Sequence, residues 1–115
     1  MVSCTHKKTG LIVTALFLCG ISTAGFCTDL TATITLNSHM FTPSEIHVKA
    51  NTPTTVTLTN KDAEAEEFDS TSLKIEKIIA GRSTGTMRWR PLAPGRYPFM
   101  GEFHSETAQG VVVAE

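Results

Sequence analysis

The chain has 115 residues, ten Lys+Arg against eleven Asp+Glu for a formal net charge of -1, and 41% hydrophobic residues. That balance gives its surface no electrostatic reason to seek nucleic acid or anionic lipid, and the length leaves room for a single domain. All three cysteines, Cys4, Cys19 and Cys27, fall in the first quarter, so the remainder can form no disulfide and offers no thiolate.

Residues 1–24 open with His6-Lys7-Lys8, run through the apolar stretch Leu11 to Cys19, and close on Ser22-Thr23-Ala24. A basic start, a short apolar core and a small-residue cleavage site read as an export signal, and hence as a periplasmic protein. The apolar run is shorter than the ~20 residues a spanning helix needs. Cleavage after Ala24 would remove Lys7 and Lys8 and leave eight Lys+Arg against eleven Asp+Glu, a net charge of -3. Thr23-Ala24-Gly25-Phe26-Cys27 faintly resembles a lipoprotein box, but Phe26 stands where a small residue is required. Residues 25–30 are therefore read as a tail with a free thiol at Cys27, not lipid-anchored, and residues 31–115 as the domain.

Thr31 to Leu36 is β-branched with every second residue apolar, the pattern of a half-buried strand. Asn37-Ser38 turns the chain, and His39-Met40-Phe41-Thr42-Pro43 leads into Ser44 to Ala50; Pro43 belongs at the start of a strand or on an edge. After Asn51-Thr52-Pro53, Thr54 to Thr59 alternates with Val56 and Leu58 on one side. Asn60 to Glu67 is polar and acidic and reads as a loop closed by Phe68-Asp69-Ser70. Leu73 to Ile79 suits a strand or a short helix equally. Ser83 to Trp89 alternates with Gly85, Met87 and Trp89 together, and Pro91 to Gly95 is a strong turn. About seven short strands and no long helical period predict an all-β, antiparallel Greek-key sandwich.

The final stretch, Tyr97-Pro98-Phe99-Met100-Gly101-Glu102-Phe103-His104, passes through Gly110 into Val111-Val112-Val113 and reads as strand, loop, strand. It resembles the last hairpin of cupredoxins, in which Tyr-x-Phe-x-Cys is followed by a loop histidine, a methionine and Gly-x-Val-x-Val. Phe41-x-Pro43-x-x-Ile46-x-Val48, Asn60 with a loop ending at Phe68, and Pro94-Gly95-x-Tyr97-x-Phe99 extend that resemblance over the domain. In that family the cysteine, the loop histidine and the methionine bind copper with a second histidine from an earlier loop. Here Gly101 falls at the cysteine and Ala108 at the methionine. No blue-copper centre is expected, since its thiolate is missing.

Carboxylates in place of imidazole and thiolate turn such a pocket away from copper(I) toward harder or borderline ions such as Fe(II), Fe(III) or Mn(II), and the resemblance implies iron or copper as the bound ion. His104 is the expected imidazole ligand, Glu66, Glu67 and Glu102 the carboxylate candidates, and Asp69, His39 and Met40 lie within range. The acidic run Glu64, Glu66, Glu67, Asp69 is equally the composition of a solvated loop. His47, between Ile46 and Val48, is expected to face solvent.

The pattern from Glu67-Phe68-x-Ser70 to Gly101-Glu102-Phe103-His104 is similar to the cysteine-less cupredoxins of bacterial ferrous-iron uptake. That similarity implies an iron permease and a second periplasmic metal-binding protein as partners. Two other classes stay open: a copper carrier using His104, Met40, His39 and Met100, and a metal-free module docking a transporter near Phe103. Ser105, His104 and Glu106 are too close in sequence to form a nucleophile, base and orienter. No hydrolase or transferase signature is present.

Overall fold

In the computed structural model, residues 30–115 are described. The expected export signal and most of the tail lie outside them. Nine strands follow in order: β1 (Leu30–Asn37), β2 (Met40–Thr42), β3 (Glu45–Val48), β4 (Thr54–Asn60), β5 (Glu66–Ser70), β6 (Ile75–Ile79), β7 (Ser83–Trp89), β8 (Gly95–Gly101) and β9 (Gln109–Ala114). One turn of 3-10 helix, Glu102–His104, stands between β8 and β9. Among the described residues no helix is long and apolar enough to cross a membrane.

The strands form a sandwich of two sheets, β2-β1-β4-β7 and β3-β9-β8-β5-β6. The expected all-β sandwich is present, with a correction to its pairing: β1 runs parallel to β4, and β3 runs parallel to β9. Side-chain alternation looks the same in either direction, so the sequence carried no sign of this. The stretch from Met40 to Val48 is two short strands, β2 in one sheet and β3 in the other, split around Pro43, which has no N–H to offer a ladder. Leu73 to Ile79 resolves as a strand from Ile75 paired with β5, and Glu66 already belongs to β5 instead of the preceding loop.

The core lies between the sheets. Ile34 and Leu36 from β1, Val56 and Leu58 from β4, and Met87 and Trp89 from β7 face Phe68, Phe99 and Val112 across the layer, all buried. Phe68 stacks on Phe99 with ring centroids 4.9 Å apart, and Phe41 meets Phe99 edge-on at 5.2 Å. Each large apolar side chain removed from water contributes about 1.5–3 kcal/mol, and the ring contacts add to what the aromatic group gives by burial alone. β4 and β8 finish, and β5 starts, at one end of the sandwich. Those ends, with the β1–β2 turn, form one pole of the sandwich.

Candidate metal centre

At that pole the alternation of β4 turns its last residue, Asn60, inward among apolar side chains, where it is fully buried. A buried amide must find partners, and this one finds them in the loop ahead of β5 and at the end of β6. Its Nδ2 donates to the carbonyl of Glu64 at 2.8 Å and to those of Ile79 and Ala80 at 3.3 Å, while its Oδ1 accepts from Asp62 N at 3.0 Å. Gly81 lets the β6–β7 turn close over this loop, because a β-carbon there would lie 2.0 Å from the Ala63 carbonyl oxygen. Residues 61–65 are thereby set in place, and with them the side chain of Glu64.

Asp62 in turn fixes the β1–β2 turn. Ser38 and His39, at φ 52° and 58°, form the two-residue connection of a tight hairpin in the left-handed region. Their backbone N–H groups donate to the two Asp62 carboxylate oxygens at 2.7 and 2.9 Å. These two hydrogen bonds, that from His39 first, hold the Asp62 carboxyl below its ordinary pKa, and positive charge on His39 and His104 acts the same way.

The third component is Glu66. It starts β5 on the inward side and is 1% exposed. One carboxylate oxygen accepts from the backbone N–H of Glu67 at 3.0 Å and of Phe103 at 2.9 Å. The other stands 2.6 Å from Nδ1 of His104. A buried carboxylate is tolerated where both of its oxygens find partners, as these do.

His104 stacks on His39, with centroids 3.6 Å apart and planes 11° off parallel. Its Nε2 lies 3.1 Å from a Glu64 carboxylate oxygen, and Nε2 of His39 lies 3.9 Å from that same oxygen. Ligand atoms of His39, Glu64 and His104 all fall within 4.8 Å of one another. Hydrogen bonding to Glu66 first, then to Glu64, raises the His104 pKa. In the protonated ring the Nε2 proton thus occupies the place a cation would take between imidazole and Glu64. An ion about 2.1 Å from each donor separates neighbouring donors by about 3.0–3.5 Å; the His104–Glu64 pair at 3.1 Å already has that spacing, and His39 at 3.9 Å from Glu64 must draw in. The stacked rings aim their lone pairs along nearly parallel planes, so loading requires them to splay.

The donor set decides which metals fit. Two imidazoles and one carboxylate suit borderline divalent ions such as Fe(II), Cu(II) and Zn(II). The thiolate centre of blue copper does not fit here. A β-carbon on Gly101 would lie 2.6 Å from the Glu66 carboxylate carbon and 2.7 Å from Cβ of the fully buried Ala108. The carboxylate and the alanine methyl fill the space a cysteine side chain would need.

Of the residues singled out from sequence, the fold brings His39 and His104 together and seats Glu66 behind His104. Glu67 and Asp69 alternate with the buried Glu66, Phe68 and Ser70, and so take the outer face of β5. There a hydrogen bond and the charge of Asp69 push the Glu102 carboxyl up in pKa, with Glu67 and Glu76 adding to the effect. These groups form an acidic surface on the outer side of the sheet. Met40, next to His39, is 54% exposed, and Met100 on the outer side of β8 is 39% exposed. His47 is exposed, between the carboxylates of Glu45 and Glu115. Sequence reasoning passed over Glu64 as a ligand and Asp62 as the group that holds His39. A usable signal existed for Glu66, since counting back by twos from Phe68 places it inward, opposite Glu67; Glu64 lies ahead of β5, exposed and outside that alternation.

A family model described as "Cupredoxin-like domain" matches residues 10–114. Among curated proteins, an uncharacterized protein of Rickettsia prowazekii (strain Madrid E) is 36% identical over 80 residues, 70% of this chain and 64% of the relative, so the match leaves about a third of that relative uncovered. Among solved structures, auracyanin A, a "blue" copper protein from Chloroflexus aurantiacus, shares the fold with a TM-score of 0.65 at 15% identity, covering 76% of this chain and all of that one. The metal-binding domain of the Streptococcus pneumoniae Cu(I)-exporting P-type ATPase CopA, solved with Cu(I), gives 0.63 at 16% identity, over 74% and 84% of the two chains. A purple cupredoxin from Nitrosopumilus maritimus gives 0.59 at 18% identity over 73% and 99%.

Proposed function

The chain belongs to the cupredoxin-like domain family, and from that premise we propose that it is an exported metal-binding protein that holds Fe(II) or Cu(II) at His39, Glu64 and His104 for ferrous-iron uptake. The observation that carries this is the meeting of two imidazoles and a carboxylate from three separate loops within 4.8 Å. Two histidines and one carboxylate with open positions are a donor set suited to ferrous iron, while the affinity order of divalent ions favours Cu(II) at the same site. His39, Glu64 and His104 expose 39%, 69% and 21% of their side chains, so an ion here exchanges with solvent and partners readily. That accessibility suits handing an ion to a membrane permease, with a second periplasmic metal-binding protein alongside, better than it suits storing one.

The test is competitive titration of the purified protein with Cu(I), Cu(II), Fe(II) and Mn(II), with melting temperature as a second readout. Divalent binding should raise the melting temperature, by the equivalent of about 2.7 kcal/mol at a hundredfold excess over Kd. His104→Ala and Glu64→Ala should each weaken it at least about tenfold. Absence of bound metal and of any thermal shift would overturn the reading. Tight Cu(I) binding abolished by Met40→Ala would replace it with a Cu(I) carrier, the class suggested by the exposed thioethers of Met40 and Met100 and by the Cu(I) in the CopA domain.

A further inference from the structure

Resting on that reading, we infer that Glu66 is a positioning residue: it holds His104 with the proton on Nδ1, so that Nε2 is the atom His104 presents to the metal. The geometry leaves Glu66 little choice. One oxygen is committed to the backbone N–H groups of Glu67 and Phe103, at 3.0 and 2.9 Å. The other is committed to His104 Nδ1 at 2.6 Å. An ionised carboxylate only accepts, so Glu66 asks for a proton on Nδ1; Glu64 asks the same of Nε2, but across the longer 3.1 Å contact and from an exposed side chain, so in the neutral ring the proton goes to Nδ1. In the neutral ring the lone pair is then on Nε2, directed toward Glu64 at 3.1 Å, on the side where His39 also stands.

The cradle is closely fitted to the side chain of Glu66. Glu66 is 1% exposed, and its carboxylate packs over Gly101 where any β-carbon would collide with it. A histidine ligand whose second nitrogen donates to a buried carboxylate is fixed in tautomer and orientation and made a better base. The ion therefore binds on the outer side of His104, away from Gly101 and Ala108, at the rim of the pole.

Glu66→Gln tests this with little change of shape. The amide oxygen can keep the two backbone donors, which turns the NH2 group toward Nδ1. Nδ1 must then accept, and the neutral ring moves its proton to Nε2, where it blocks coordination. Long-range 1H–15N spectra of the full chain labelled with 15N-histidine, recorded without metal at alkaline pH, read the tautomer directly. Wild type should show Nδ1–H at His104, Glu66→Gln should show Nε2–H, and Cu(II) affinity should fall about 10–100-fold in the variant with the melting transition retained. An Nε2–H wild type needs no variant to overturn the inference, and so would affinity unchanged within about twofold in Glu66→Gln; either result leaves the metal site itself standing. Failure of the wild type to bind Cu(II) or Fe(II) would overturn the proposed function, and coordination through Nε2 with it, whatever the tautomer.

Discussion

The carboxylate carbon of Glu66 lies 2.6 Å from the point a β-carbon on Gly101 would occupy, and Cβ of Ala108 lies 2.7 Å from it on another side. Neither neighbour can retreat cheaply, since both are buried and Glu66 is held by two backbone donors. Gly101→Ala should therefore destabilise the protein by about 1–3 kcal/mol through overpacking, seen as a lower urea midpoint with unchanged slope. Gly101→Cys should bind Cu(II) without the intense visible band of a thiolate centre, because Glu66 still fills the space between.

Glu66→Ala removes the acceptor of Phe103 N and Glu67 N and the partner of His104 Nδ1 at once. Leaving partly buried donors unmatched costs about 1–3 kcal/mol each before any relaxation or water entry. A total loss of about 2–4 kcal/mol is expected from chemical denaturation. A variant as stable as wild type would mean that water replaces the carboxylate completely.

Asp62 acts on the site through the backbone. Asp62→Ala frees the left-handed Ser38-His39 turn, which should cost about 1 kcal/mol and weaken metal binding without touching a ligand. Because its folded pKa lies below the ordinary 3.8, its contribution is present above that value and disappears as pH falls through the folded one. The acid limb of the wild-type stability profile should accordingly flatten in Asp62→Ala.

His47 makes the opposite pH prediction. Glu115 at 2.7 Å from Nδ1 and Glu45 at 2.9 Å from Nε2 raise its pKa above 6.5, Glu115 more than Glu45. A raised folded value gives stabilisation that is complete below 6.5 and is lost as pH rises through the folded pKa. His104 carries the same sign through Glu66 and Glu64. Urea midpoints measured across that range should decline with pH in wild type, with a smaller decline in His47→Gln and in His104→Gln.

The sandwich was legible because strands with one buried face announce themselves: Val56 and Leu58, and Met87 and Trp89, alternate with polar residues, and Phe99 is buried between exposed Pro98 and Met100. Direction of pairing was not, since the parallel β1–β4 and β3–β9 pairs are set by crossovers that join distant segments. The pole was half legible. His104 follows from its place in the last hairpin, and His39 from the first turn. What separates Glu66 from Glu67 and Asp69 is the inward parity of β5, which a loop assignment for Glu66 erased, while Glu64 is placed by the loop that Asn60 holds. Asp62 could not have been found by any ligand rule, because its two carboxylate oxygens are taken up by backbone N–H groups.

The segment from Met40 to Val48 spends its first three residues hydrogen-bonded to β1 and its last four to β9, in the opposite layer. One short length of covalent chain is thus stitched through both halves, so the layers cannot part like the covers of a book while either keeps its edge. Opening should be concerted, with the slowest-exchanging amides of the two halves sharing one exchange rate.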